Sequence, residues 1–273
     1  MEEMDYRELL KNRKRIVVKI GSSSLSYPNG KINYSRLEQV AIVLSKLQAE
    51  GRQMVLVSSG ATAVGAGRMG ITGKPSDKVE KQALAAIGQA GLIKIYQRFF
   101  DRHHQAVAQV LLTKDAITIP VRRKNARNTL DTLLGLNVIP IINENDTIST
   151  EQIEFGDNDT LSAYVAELID AELLVILSDI DGLYSGDPHS NPEARRISLV
   201  TEFSPWLENI ASGSASSFGT GGMVTKILAA RICWEAGIDA VIASGEDPSV
   251  LFRLLEGEVL GTLFAFGSRM TVC

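Results

Sequence analysis

Cysteine is nearly absent: the chain of 273 residues has two, Cys233 and Cys273. They are too few for a disulfide framework and lack the spacing of zinc ligands, which points to a reduced, intracellular protein. Long apolar runs are missing as well. Nothing approaches the ~20 consecutive apolar residues of a membrane span, and Met1 to Arg15 alternates acids and bases with no signal-like apolar stretch. We therefore expect a soluble, cytoplasmic chain with no membrane partner. An excess of one charge is also lacking: 28 Lys+Arg against 32 Asp+Glu give a net charge of −4. That balance argues against a general nucleic-acid surface.

Several catalytic signatures are missing too. His103 and His104 are adjacent and would point apart on a helix, and His189 is isolated, so we expect no protein metal site and read all three as surface or capping residues. Ser58 and Ser59 have no evident His partner, which disfavours a hydrolase triad. No Gly-x-x-x-x-Gly-Lys-Ser/Thr occurs, so the chain is not an ordinary P-loop enzyme. Gly65-Ala66-Gly67-Arg68-Met69-Gly70 matches the dinucleotide pattern but begins several residues after a strand and lacks the following strand with its acid.

What remains is a chain with 45% hydrophobic residues, ample for a core. Its apolar runs are short and β-branched: Ile16 to Ile20, Met54 to Val57, Val107 to Leu112, Val138 to Ile142, Leu173 to Leu177 and Ala240 to Ala243. Helical periodicity falls between them, from Ser35 (with capping-box spacing to Glu38) to Gly51, and at about 78–100, 122–136, 158–169 and 223–236. Strands that alternate with helices and are apolar throughout indicate an α/β fold with a parallel sheet covered on both faces. The length fits one such unit or two domains. No repeat or low-complexity linker marks a boundary; the irregular stretch 182–222 is the nearest candidate, and regular structure is expected to close with the strand ending at Ala243.

Polar residues recur just past the strand ends: Gly21-Ser22, Ser58-Ser59-Gly60, Asn143 to Asp146, Ser178-Asp179 and Ser244-Gly245. In a parallel sheet these ends share one edge, where ligands bind. The densest cluster spans Asn143-Glu144-Asn145-Asp146 and Gly156-Asp157-Asn158-Asp159, more short polar side chains than capping requires. Two lysines conflict with their surroundings. Lys19 interrupts a buried run, so its head must snorkel or meet an anion. Lys226 falls in the first turn of a helix, where the dipole disfavours a cation and a bound anion would reverse the conflict. The preceding Gly219-Thr220-Gly221-Gly222 offers backbone N–H groups of the kind that hold phosphate.

With these residues the sequence resembles the amino acid kinase superfamily, and within it the branch that phosphorylates glutamate at the head of proline synthesis. The resemblance runs from Val17-Val18-Lys19-Ile20-Gly21-Ser22 to Gly261-Thr262-Leu263-Phe264, through Ser58-Ser59-Gly60-Ala61, Ile142 to Asp146, Gly156 to Asp159, and Gly219 to Met223 with Lys226. It implies a three-layer αβα sandwich with a mainly parallel central sheet. One domain would fill 1–273, with an amino acid-binding part to about 170 and a nucleotide-binding part over about 171–267.

The resemblance assigns Ser59, Asp146 and Asn158 to L-glutamate, with Asp157 nearby. Lys19, Gly21, Ser178, Asp179 and the run Thr220, Gly221, Gly222, Met223, Val224, Thr225, Lys226 would bind ATP. Lys19 and Lys226 would also act on the transferred group, with Asp159 orienting them. Mg²⁺ would be held mainly by nucleotide phosphates and water. A homo-oligomer, dimer or tetramer, and inhibition by proline are further implications. Larger members carry a C-terminal PUA module, a type associated with RNA binding; here the chain ends soon after Phe266, implying the form without it. The acceptor γ-carboxylate, with an ordinary pKa of about 4.3, is already ionised at neutral pH, so the lack of a catalytic His is expected. An acetylglutamate, carbamate or uridylate kinase, or a non-catalytic amino acid sensor of the same fold, stays open at this point.

Overall fold

The computed structural model describes residues 2–27, 31–71, 75–148, 158–186, 191–211 and 222–266. A polar helix α1 (Glu3–Leu9) leads into β1 (Arg15–Ile20), a one-turn α2 (Ser22–Leu25) and α3 (Tyr34–Ala49). The cap of α3 differs from expectation: Asn33, two residues before the Ser35 predicted, accepts the Arg36 N–H at 3.0 Å. Next come β2 (Gln53–Ser58), α4 (Ala61–Met69), the long α5 (Lys78–Asp101) and β3 (Val107–Leu112). Then follow α6 (Asp115–Thr118), α7 (Pro120–Gly135), β4 (Ile139–Glu144), α8 (Asn158–Leu168) and β5 (Leu173–Ser178).

The irregular stretch contains short strands β6 (Leu183–Tyr184), β7 (Arg196–Ile197) and β8 (Leu199–Val200), and helix α9 (Pro205–Ala211). The chain continues through α10 (Gly222–Glu235) and β9 (Asp239–Ser244). Regular structure does not close there, contrary to the sequence expectation: α11 (Val250–Leu255) and β10 (Thr262–Phe264) follow.

Eight strands form one sheet in the order β3-β4-β2-β1-β5-β9-β10-β8. Every pairing from β3 to β9 is parallel, whereas β10 runs antiparallel to β9. The fold is the mainly parallel three-layer sandwich expected. Strand side chains alternate between faces. Ile16, Val18 and Ile20 pack with α3, α5 and α11, while Val17 packs with α7, α8 and α10. Both faces are apolar, which explains why the central strands read as continuous hydrophobic runs. Among the described residues no helix is long and apolar enough to cross a membrane.

The small-residue segment after β2 is a helix, and its glycines serve packing. A Cβ at Gly88 of α5 would lie 1.6 Å from the Ala61 carbonyl oxygen, and one at Gly65 of α4 would lie 1.9 Å from that of Leu84. The dinucleotide-like pattern therefore overlaps a helix–helix contact. The ends of β1, β2, β4, β5 and β9 all reach one edge of the sheet, as their shared direction requires.

Candidate active site

Lys19 falls on the same face of β1 as Val17, beneath the start of α8 and the first turns of α10. Its Nζ lies 2.5 Å from Oδ1 of Asp159, the second residue of α8. The other oxygen, Oδ2, accepts from Lys226 Nζ at 3.1 Å, and Thr225 Oγ1 lies at the same distance. Lys226 also donates to the Gly222 carbonyl at 3.0 Å, one turn back in α10. The Asp159 side chain is 0% exposed, and those of Lys19 and Lys226 are 8% and 10% exposed. Burial alone would raise the pKa of Asp159; the charges of Lys19 and Lys226, and their hydrogen bonds to it, outweigh burial and hold it below the ordinary value. Two ammoniums against one carboxylate leave the cluster at 2 − 1 = +1. Both lysines that conflicted with their sequence surroundings thus meet the same anion.

A polar network stands beside this cluster. Asn158, the residue before Asp159, donates from Nδ2 to Ser59 Oγ at 2.8 Å, Asn143 Oδ1 at 2.9 Å and the Ser58 carbonyl at 3.3 Å. Asn143 Oδ1 also accepts the Glu144 N–H at 2.9 Å. Beneath it, the buried Ser58 hydroxyl and Tyr96 phenol are 2.8 Å apart. Ser59, Asn143, Asn158, Glu144 and Asp146 line a cavity of about 510 Å³, together with Ser22, Lys81 and the first turn of α4. Asn158 faces the cavity while Asp159 holds the lysines, so two consecutive residues join the cavity to the cationic cluster.

The remaining predicted residues divide. Gly21 sits beside the cluster, since a Cβ there would lie 3.5 Å from Lys19 Nζ. Ser178 is buried at the end of β5 and donates to Oδ1 of the exposed Asp179 at 2.9 Å. Gly222 and Thr225 belong to the cluster, whereas Met223 and Val224 pack their side chains against the apolar core. Asp157, Thr220 and Gly221 lie outside the described residues. Asn143, Glu144 and Lys81 were not assigned roles from sequence. For Asn143 the signal was its place at the polar end of β4; for Lys81 there was none, because the cavity is assembled from distant segments.

A model of the amino acid kinase family matches residues 14–244. A glutamate 5-kinase of Listeria monocytogenes serotype 4b is 47% identical over 263 residues, 95% of both chains. The chain belongs to the amino acid kinase family. Another glutamate 5-kinase, from Clostridium perfringens, is 48% identical over 262 residues, 94% of this chain and 97% of its own. The amino acid kinase fold is shared with a carbamate kinase from Giardia lamblia bound to AMP-PNP, with a TM-score of 0.67 at 18% identity over 93% of this chain and 99% of that one.

Proposed function

We propose that the site transfers the γ-phosphoryl group of ATP to the γ-carboxylate of L-glutamate, giving L-glutamyl 5-phosphate and ADP. The chain is a phosphotransferase with a carboxyl acceptor, in keeping with its glutamate 5-kinase relatives. One observation supports the assignment of parts: a buried cluster of net charge +1 shares a wall with a cavity lined by two carboxylates, Glu144 and Asp146, one ammonium, Lys81, and neutral hydrogen-bonding groups. A zwitterionic amino acid with a second carboxylate needs that combination.

In the reaction an oxygen of the γ-carboxylate bonds to the γ-phosphorus while the bond to the β–γ bridging oxygen breaks. The acceptor is already ionised, so no residue has to remove a proton. The protein positions the reactants and stabilises charge on the transferring group. Lys19 and Lys226 supply that charge, and Asp159 fixes both ammoniums before substrate arrives. Asp146 pairs with the substrate ammonium; Ser59 and Asn158 hydrogen-bond the amino acid, with Asn143 holding Asn158 in place. Gly21, Ser178, Asp179 and the start of α10 flank the phosphates. Apart from Lys19, Gly21 and Asp159, which meet the phosphates from the first part, the part to about residue 170 binds the amino acid and the part over 171–267 the nucleotide.

Among the described residues no three His, Cys, Asp or Glu side chains stand together as a metal site. Asp159 is already engaged by two lysines, so a Mg²⁺ ion fits on the nucleotide phosphates and water. When bound there it neutralises phosphate charge. A cytoplasmic location, a homo-oligomeric state, inhibition by proline as the end product and a place at the start of proline synthesis complete the proposal.

With hydroxylamine as trap, purified protein should form γ-glutamyl hydroxamate when ATP, Mg²⁺ and L-glutamate are all present, and none when any one is omitted. ATP turnover with another acceptor and no hydroxamate would overturn the substrate assignment.

A further inference from the structure

Lys81 has no part in the roles assigned so far, yet it lies at the mouth of the amino acid cavity. It falls in the first turn of α5, whose cap is Asp77, where the helix dipole disfavours a cation. Its Nζ lies 3.9 Å from Asp146 Oδ1, with the side chains 53% and 21% exposed. Among the described residues lining the cavity it is the only basic one. An ion pair so open to water is weak, so a substrate can replace it at small cost.

The charges of glutamate show what is missing. Its γ-carboxylate faces the lysine cluster and its ammonium faces Asp146, which leaves the α-carboxylate without a countercharge. The α-carboxylate and the ammonium branch from one carbon, so the complement of that zwitterionic head is an anion and a cation side by side. Asp146 and Lys81 are such a pair.

We propose that Lys81 is a specificity residue that binds the α-carboxylate of the acceptor amino acid. With the cavity empty, Lys81 and Asp146 stand 3.9 Å apart as a weak, water-exposed pair. When the amino acid enters, its ammonium takes Asp146 and its α-carboxylate takes Lys81, so the resting pair opens into an alternating row of four charges. The site then selects amino acids with a free α-carboxylate. The inference rests on the assignment of this cavity to the acceptor.

The test compares L-glutamate with its α-amide, which keeps the ammonium and the γ-carboxylate, in the wild-type protein and in Lys81→Met and Lys81→Arg. Hydroxamate formation gives kcat and KM; where the α-amide forms none, its constant for competitive inhibition against glutamate is measured. Lys81→Met should raise KM for glutamate by about tenfold or more, leaving kcat and KM for ATP within about twofold. The constant for the α-amide should not move, so the preference for glutamate collapses, and Lys81→Arg should restore much of it. An unchanged KM for glutamate in Lys81→Met overturns the proposal, as does a raised KM with the preference intact. If the wild-type protein forms no hydroxamate from glutamate, the acceptor assignment fails first and the role of Lys81 with it.

Discussion

Replacing Asp159 by asparagine separates the charge of the cationic cluster from its shape. At an effective dielectric constant of about 20, a carboxylate attracts ammoniums 2.5 and 3.1 Å away by roughly 7 and 5 kcal/mol. Those figures are gross. Removing the three groups from water costs several kcal/mol each, so the assembled cluster contributes little net stability. Deleting the shared partner is different, because both ammoniums stay buried without a countercharge. Asp159→Asn should therefore lose about 3–5 kcal/mol, a fall in Tm of roughly 6–20 °C. The cluster charge rises from +1 to +2, since one negative charge is removed. Saturating ATP should consequently raise Tm more in the variant than in the wild type, while kcat falls by about 10²–10³ as the lysines lose their anchor.

The pH dependence gives a second measurement on the same variant. Burial would raise the Asp159 pKa, but Lys19 and Lys226 hold it below the ordinary 3.8. A folded value depressed below the unfolded one contributes stability that is present above the unfolded value and lost as pH falls through the folded one. The advantage of wild type over Asp159→Asn should be full at pH 7 and shrink below pH 3.8. Denaturant unfolding across pH and the hydroxamate assay read these effects. Equal Tm and kcat in the two proteins, or a stability difference that stays flat to the acid limit of folding, would refute the reasoning.

Two further substitutions address the neighbouring parts. Lys226→Ala leaves Asp159 paired with Lys19 and should lower kcat by about 10²–10³ with KM for glutamate within about threefold; steady-state hydroxamate kinetics check it, and unchanged turnover removes Lys226 from the catalytic set. Gly88→Ala puts a methyl group 1.6 Å from the Ala61 carbonyl oxygen, which should cost about 1–3 kcal/mol. Because α4 opens on the cavity, that variant should also raise KM for glutamate and spare KM for ATP; a wild-type Tm would show that the helices are not so closely packed.

The central strands were legible because burial on both faces leaves a direct mark: Ile16 to Ile20 and Leu173 to Leu177 are short apolar runs that stop at polar residues. Elements fixed by distant contacts left no such mark. Helix α1 reads as a polar tail, yet Arg7 is fully buried and donates to the carbonyl oxygens of Leu260 at 2.8 Å and Ser198 at 2.6 Å. Strand β10 has three residues and takes its direction from antiparallel pairing with β9. Helix α4 is written in glycine and alanine, whose apolar periodicity is weak, and its reason lies in α5. The site divides in the same way. Lys19 was conspicuous as a charge inside an apolar run, whereas Lys81 is an unremarkable helix lysine until α5 folds across the end of β4.

Lys19 and Lys226 each call for an anion; their sequence surroundings suggest phosphate, and the family resemblance adds Asp159 as the residue that orients both. The structure supplies Asp159 to both, which changes what the cluster does before any substrate binds. With no carboxylate, two buried ammoniums would repel each other and the pocket would be unstable without nucleotide. With two carboxylates the charge would cancel, leaving no net attraction for the transferring group. A single aspartate holds both lysines at fixed distances and still leaves one unit of positive charge. Aspartate at position 159 therefore reconciles a stable empty site with one that attracts a phosphoryl group, because the charges are oriented before the reaction and need not reorganise during it.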